Sequence, residues 1–311
     1  MSGPVLALSG GVGGAKLALG LYHILPPETL TVIVNTGDDF VHLGLHVSPD
    51  LDTLLYTLSG LDNPETGWGR RGETWTFMQA LASLGGETWF KLGDGDLATH
   101  VERTRRLAAG ESLSRITEDF RRRLGIRARL LPMSDDPVRT RLATDEGRLD
   151  FQDYFVRRQA RPAVREIRYD GAVTARPQQE ALAALADPDL RAVVICPSNP
   201  FLSIDPILAL PALRRALAEC RAPVVAVSPL IGGRAVKGPT AKIMGELGLA
   251  VDAAAVARHY HDILDLYIAD AADAERLGDV GLPVRFAPTL MTTLADREAL
   301  ARTVLLAADG L

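Results

Sequence analysis

Residues 5–17 read Val5-Leu6-Ala7-Leu8-Ser9-Gly10-Gly11-Val12-Gly13-Gly14-Ala15-Lys16-Leu17. An apolar run of strand length stops at a serine, glycines follow, and a helix-forming stretch, Ala15 to Leu25, takes over. Strand, glycine turn and helix in that order make the first half of a βαβ unit. Glycines let the backbone turn tightly and approach a phosphate, and the helix behind them offers free N–H groups and the positive end of its dipole. The loop therefore points to a nucleotide held by Gly10, Gly11, Gly13, Gly14 and Lys16. It is not a Walker A loop: counting from Gly10, Ala15 stands where that motif needs glycine and Leu17 where it needs Ser or Thr. It is an incomplete dinucleotide fingerprint as well, because Lys16 replaces the third glycine. A tight turn without ligand is the plainer reading of the same residues.

The pattern repeats outward from there. Leu30 to Asn35 runs into Gly37 and Asp38, Ala128 to Pro132 into Ser134, Ala192 to Cys196 into Ser198, and Val224 to Val227 into Ser228. Helical stretches such as Pro206 to Cys220 lie between, so the alternation argues for a parallel sheet with helices on both faces, an α/β fold of Rossmann-like kind. Ligands of such sheets bind outside the carboxyl ends of the strands, where these polar clusters fall. Two regions break the pattern. Residues from about 51 to 125 read as a helical cap insertion, and those from about 148 to 170, with Phe151, Tyr154, Phe155, Val164 and Ile167 about Arg161-Pro162, as a β-hairpin arm. The core is then about 1–50 and 126–311 of a single domain.

Of the 311 residues 47% are hydrophobic, enough for a full core and against a disordered or fibrous chain. With 34 Lys plus Arg against 39 Asp plus Glu and no dense basic block, no nucleic-acid partner is expected. The most basic run, Arg121 to Arg123 with Arg127 and Arg129, reads as a solvated helix end. Two cysteines, Cys196 and Cys220, give neither a disulfide framework nor a zinc site. Met1 to Pro4 lacks a basic leader, and no stretch approaches the roughly 18 apolar residues of a membrane span. A cytoplasmic protein without a membrane partner is expected.

The acids carry the next step. Asn35-Thr36-Gly37-Asp38-Asp39 closes the second strand and Ser48-Pro49-Asp50-Leu51-Asp52 opens a helix. Mg²⁺ is usually held by one or two carboxylates with substrate phosphate and water, so Asp39, Asp50 and Asp52 are candidate metal ligands beside a phosphate loop. Ser48, Pro49 and the two acids also suit a helix start, and capping and metal binding stand level there. Under the metal reading, Asp39→Asn or Asp52→Asn abolishes turnover and leaves the fold intact. Gly93-Asp94-Gly95-Asp96 with His100, and Ser134-Asp135-Asp136-Pro137, are explained equally well as turns. Ser198, Asn199 and Ser203 follow a strand and can read a base or ribose, whereas Asp205-Pro206 is accounted for as a helix start. Lys237 is expected in solvent, and Trp68, Trp75 and Trp89 in the core. No GxSxG elbow or nucleophilic cysteine is present, which disfavours covalent acyl transfer.

Taken in order, LSGGVGGAKL, VNTGDDFVHLGL, SPDLDTLLYTLSG, LGDGDLATH, LPMSDDPVRT, FQDYFV, CPSNPFLSIDPIL, AVSPLIGG with KGPTAKIM, and PTLM resemble the 2-phospho-L-lactate transferase family of coenzyme F(420) biosynthesis. The resemblance implies a guanosine diphosphate donor carrying a small acid (lactate, enolpyruvate or glycerate), the deazaflavin alcohol FO as acceptor, GMP as leaving group, Mg²⁺, and a homodimer. It also implies Gly10 to Gly14 at the diphosphate, Asn199 and Ser203 toward the guanosine, and Asp39, Asp50 and Asp52 at the metal or the acceptor, with Asp39 and Asp52 catalytic. The family pattern has an arginine at the position of Gly95, expected to contact the acceptor. The rival reading is a nucleotide-sugar-binding regulator without turnover, since a sister family shares the glycine-rich start and the Asn-Pro loop. A nicotinamide oxidoreductase lacks the complete fingerprint.

Overall fold

A computed structural model describes residues 3–311. Its centre is a seven-stranded sheet of β1 (Val5–Ser9), β2 (Leu30–Val34), β3 (Arg129–Pro132), β4 (Ala192–Ile195), β5 (Val224–Val227), β6 (Leu266–Asp270) and β7 (Val284–Ala287). The spatial order is β7-β6-β5-β4-β1-β2-β3, and every neighbouring pair is parallel. The chain thus builds outward from β1 in one direction, then returns and builds the other way from β4. The order reverses between β1 and β4, which opens a crevice at their carboxyl ends.

The continuous apolar runs follow from burial on both faces. Along β1, Val5 and Ala7 enter one core while Leu6 and Leu8 enter the other, and β4 splits Val194 from Val193 and Ile195 in the same way. The first core is covered by α1 (Gly11–Ile24) and α2 (Pro49–Ser59). The cap then contributes α3 (Thr76–Ser83), α4 (Asp94–Ala108) and α5 (Leu113–Arg123). The second core is covered by α6 (Gln179–Leu185), α7 (Asp205–Leu208), α8 (Pro211–Ala218), α9 (Thr240–Glu246) and α10 (Ala253–His259). Finally α11 (Leu294–Ala308) returns to pack on α1. That contact is close: a Cβ at Gly20 would lie 2.2 Å from the Arg297 carbonyl oxygen.

Three local departures have plain causes. The first helix starts at Gly11, not Ala15, so that Gly11, Gly13 and Gly14 belong to its first turn and not to a loop before it. The helix expected over Pro206–Cys220 is two, since Pro211 has no N–H and pushes Leu210 to extended backbone (ψ 111°). The arm is three-stranded and not a simple hairpin over 148–170: Arg139–Thr144 lies between Gly147–Asp150 and Val164–Asp170, both antiparallel to it. Its alternation, with Thr140, Leu142 and Thr144 turned inward, is a strand signal lying just upstream of the segment read as the arm. Among the described residues no helix is long and apolar enough to cross a membrane.

Candidate active site

The loops after β1 and β4 touch across the crevice. Ser198 Oγ donates to the Gly10 carbonyl at 2.7 Å, and the Gly10 N–H points to the same hydroxyl at 3.3 Å. A Cβ at Gly13 would fall 2.3 Å from the Pro197 carbonyl oxygen, at Gly14 2.4 Å from Ser9 Oγ, and at Gly10 2.6 Å from Ser203 Cβ. These three glycines are therefore required by packing of protein on protein. Gly11 differs: a Cβ there would meet only Ser203 Oγ, at an ordinary 3.8 Å, and it is its φ of +64° that calls for glycine. Gly13→Ala is expected to destabilise by about 1–3 kcal/mol through overpacking, read as a lowered denaturant midpoint. Asn199 is used locally, its Oδ1 accepting from the Phe201 and Leu202 amides and its Nδ2 donating to Thr240 Oγ1. Lys16 donates to the Met291 carbonyl at 2.8 Å, and burial, with Arg297 and Lys237 nearby, lowers its pKa.

Beneath the crevice, Asn35 at the end of β2 organises the acids. Its Nδ2 donates to Asp38 Oδ1, to Asp50 Oδ2 at 2.9 Å and to the Leu202 carbonyl at 3.2 Å, and its Oδ1 accepts from the Gly37 N–H. Asp50 also accepts from the Gly11 N–H at 2.6 Å, so an α2 carboxylate sits on the first amide of α1. Burial pushes Asp50 up to about 6 against its hydrogen bonds from Asn35 and Gly11, with the charge of Asp39 adding to the rise. Burial, then Asp50, then Asp39 push Asp38 well above the usual carboxylate range. Ser48 occupies the cap position of α2 but its hydroxyl donates to Asp39 Oδ2 at 2.8 Å, and His46 Nε2 lies 3.2 Å from the same oxygen.

Asp52, two residues after Asp50 and so on the other side of α2, meets the cap. The buried Arg103 of α4 reaches it with both terminal nitrogens, Nη1 at 3.0 Å. His100 Nδ1 is 3.6 Å from Asp52 and its Nε2 3.2 Å from Asp96, whose other oxygen accepts from Tyr56 Oη at 2.5 Å. Asp38, Asp39 and Asp50 thus form one group and Asp52, Asp96, His100 and Arg103 another. Arg103 went unread in the sequence, although Asp96, His100 and Arg103 recur at the four- and three-residue spacing of one helix face. Asp94 lies not in a turn but at the first position of α4, where it accepts from the Thr76 and Phe77 amides at the start of α3, and Asp135 accepts from Ser114.

Above the acids lies a small cleft lined by Asn63, Thr66, Trp68, Arg70, Glu73, Trp75, Lys91 and Asp96. Trp68 and Trp75 are not in the core, being 50% and 37% exposed. Lys237 is exposed, and its amine donates to the Thr66 carbonyl at 3.0 Å, bridging to the cap. At Gly95 a Cβ would lie 3.0 Å from the Glu73 carboxylate and 3.5 Å from Arg70 Nε, the two being 3.9 Å apart, and Arg70 also covers the Tyr56 ring at 5.5 Å. A guanidinium therefore stands at this point of the cleft, delivered from the loop before α3. The groove of about 640 Å³ lined by Arg115, Arg121, Arg122, Arg127 and Arg129 lies instead along edge strand β3. Glu118 ties Arg121 and Arg122 there at 2.6 Å, which fits a solvated helix end.

The acids suit a hard divalent cation. Asp39 Oδ1 is buried without a hydrogen-bond partner, and the crowding that raises Asp38 is of the kind a cation relieves. Asp52, Asp96 and His100 also place one ligand atom each within 4.8 Å of one another. Arg103 already takes both oxygens of Asp52, and Gly11 and Asn35 take one oxygen each of Asp50, so the unpartnered acceptor is Asp39 Oδ1.

Comparison with known proteins agrees over the whole length. A phosphoenolpyruvate transferase of Streptomyces griseus is 43% identical over 310 residues, covering 97% of each chain. One of Kitasatospora aureofaciens is 43% identical over 315 residues, covering 98% of each, and one of Mycobacterium tuberculosis 41% over 313, covering 93% of each. A solved structure from Bacillus halodurans, a member of the UPF0052 family, shares the fold with TM-score 0.63 at 16% identity, covering 98% of this chain and 99% of that one. The family model described as 2-phospho-L-lactate transferase CofD matches residues 5–284, and with these relatives it shows that the chain belongs to the 2-phospho-L-lactate transferase CofD family.

Proposed function

We infer that this transferase moves a phosphoenolpyruvyl group from a guanosine diphosphate donor to the ribityl hydroxyl of FO, releasing GMP, with Mg²⁺, in coenzyme F(420) biosynthesis. The choice of enolpyruvyl over lactyl or glyceryl rests on relatives at 41–43% identity, all named phosphoenolpyruvate transferases. The observation that supports the chemistry is the buried acid cluster directly under a glycine-rich helix start.

In this reading the donor diphosphate lies at the start of α1, beyond the Gly11 amide that Asp50 occupies, with Ser198, Asn199 and Ser203 toward the nucleoside. The acceptor's flat ring lies against Trp68 and Trp75, and Arg70 takes the part that the family pattern gives to an arginine at position 95. A new bond forms between the acceptor oxygen and the phosphorus bearing the small acid. The bond from that phosphorus to the GMP oxygen breaks, and the hydroxyl proton leaves to water. Asp39, with Asp50 beside it, would hold the ion, which would supply charge neutralisation at the phosphates. Asn35 keeps Asp38 and Asp50 at fixed separation, and Arg103 orients Asp52 at the acceptor side.

The test is a mass-spectrometric assay with Mg²⁺, FO and each of the three donors. GMP and the phosphodiester are expected, with the enolpyruvyl donor turned over best. No GMP from any donor, together with tight binding of a uridine sugar, would favour the regulator instead.

A further inference from the structure

The segment Pro200–Ile204, which brings Ser203 to Gly10 and the Leu202 carbonyl to Asn35, is a π-helical turn. Wide turns of this kind are rare and persist where their surroundings hold them. The front of this one is held by Asn199 and Asn35. Its back is held by a different set. Asp205, immediately after the turn, faces His259 Nε2 at 2.8 and 3.0 Å from its two oxygens. Tyr169 Oη donates to the Phe201 carbonyl at 2.7 Å and lies 3.4 Å from Asp205 Oδ2. The Phe201 ring meets the His259 imidazole edge-on at 5.3 Å.

We propose that Asp205, His259 and Tyr169 form a latch that keeps the Pro200–Ile204 turn seated against Gly10, which makes His259 and Tyr169 positioning residues for the nucleotide. The latch draws on three separate parts of the chain, α7, the end of α10 and the antiparallel arm. Release lets the turn tighten toward i→i+4 bonding, which moves the Leu202 carbonyl and Ser203 relative to Asn35 and Gly10. This inference rests on the crevice being the guanosine site.

The charges around His259 set its pH response. Asp205 faces it from α7, Arg214 from α8, Asp262 from beyond α10, Tyr260 from the next position and Tyr169 from the arm. Burial lowers the imidazole pKa, but Asp205 outweighs it, with Arg214 opposing and Asp262 adding, and the net is a rise above 6.5. Burial first, and then Asp205, hold Tyr169 and Tyr260 well above their ordinary range, so both remain neutral. A raised histidine contributes fully below its unfolded value, and that contribution is lost as pH rises through the folded value.

The experiment pairs hydrogen exchange at the Phe201–Ile204 amides of the protein alone with calorimetric GDP affinity, at about pH 6 and about pH 8.5. His259→Ala and Tyr169→Phe are expected to speed exchange in the turn and to raise the GDP Kd roughly tenfold at about pH 6. His259→Gln keeps a donor for Asp205 and is expected to restore slow exchange while abolishing the pH dependence. Wild-type exchange and affinity in both His259→Ala and Tyr169→Phe, or failure of His259→Gln to rescue, overturns the latch. If the wild-type chain does not bind GDP, the guanosine reading fails while the exchange data still decide whether the latch holds the turn.

Discussion

Asp39→Asn is expected to reduce turnover by about 100- to 1000-fold and to leave unfolding stability within about 1 kcal/mol of wild type. The asymmetry comes from what Asp39 touches. Its Oδ2 is engaged by Ser48 and His46, and an asparagine oxygen can keep the Ser48 bond. Its Oδ1 has no protein partner, so what the substitution removes is charge and a free acceptor facing the site, and not a structural link. A new buried amide without an acceptor is unfavourable, but one negative charge beside Asp38 and Asp50 is lost at the same time. The second readout is pH. Asp50 stands at about 6 in the folded chain against an ordinary 3.8, so the folded state binds its proton more tightly. Stability from that proton is complete below the ordinary value and is lost as pH rises through about 6. With Asp39 neutral, one of the contributions that raise Asp50 and Asp38 disappears, and the loss of metal-free stability on going from acid to neutral pH should shrink. An unchanged pH profile, or near-normal turnover, would place Asp39 outside the charge cluster that the geometry describes.

Much of the sheet was legible because strands buried on both faces announce themselves as unbroken apolar runs ended by turn residues. β1, β2, β4 and β5 are of this kind. β7, Val-Arg-Phe-Ala, is an edge strand with an exposed arginine and a half-exposed phenylalanine, and gives no such run. Within the site, the signals that survived were those carried by one segment: the glycines, the Asp pair after β2, the Asn-Pro loop. What did not survive was the meaning of each contact. Gly10, Gly13 and Gly14 read as room for phosphate, yet their missing side chains make room for Pro197, Ser198 and Ser203 from the loop after β4. Asp50 reads either as an acid complementing the dipole of its own helix or as a metal ligand, yet it accepts from the first amide of another helix. Such pairings depend on which strand lies beside which, and no local pattern encodes that. The tryptophans mislead for a related reason: their size argues for burial, whereas Trp68 and Trp75 line an open cleft.

Arg103 is the largest gap between the sequence and the structure, and it changes what Asp52→Asn should do. On sequence grounds that substitution removes turnover and leaves the fold intact. In the structure Asp52 is the hydrogen-bonded carboxylate partner of a guanidinium that is 1% exposed; Arg103 also meets His100, the His46 carbonyl and the Phe120 ring, and feels the charge of Asp39 through space. Removing the carboxylate leaves a buried cation without its counter-charge, which typically costs about 3–5 kcal/mol. The expected result is therefore a lowered midpoint of unfolding together with lost activity, and loosening of α4 against α2, since the pair joins cap to core. Arg103→Met separates the two effects. It removes the cation, and the double variant Asp52→Asn/Arg103→Met should recover most of the stability lost in Asp52→Asn, because neither charge is then stranded. Turnover should stay low in the double variant under the proposed role of Asp52 at the acceptor, since α4 would keep its place while that carboxylate is absent. Denaturant midpoints of the two single variants and the double, measured beside their rates, decide the matter. An Asp52→Asn protein as stable as wild type would mean that the buried pair does not carry the cap, and full activity in the double variant would remove Asp52 from the chemistry.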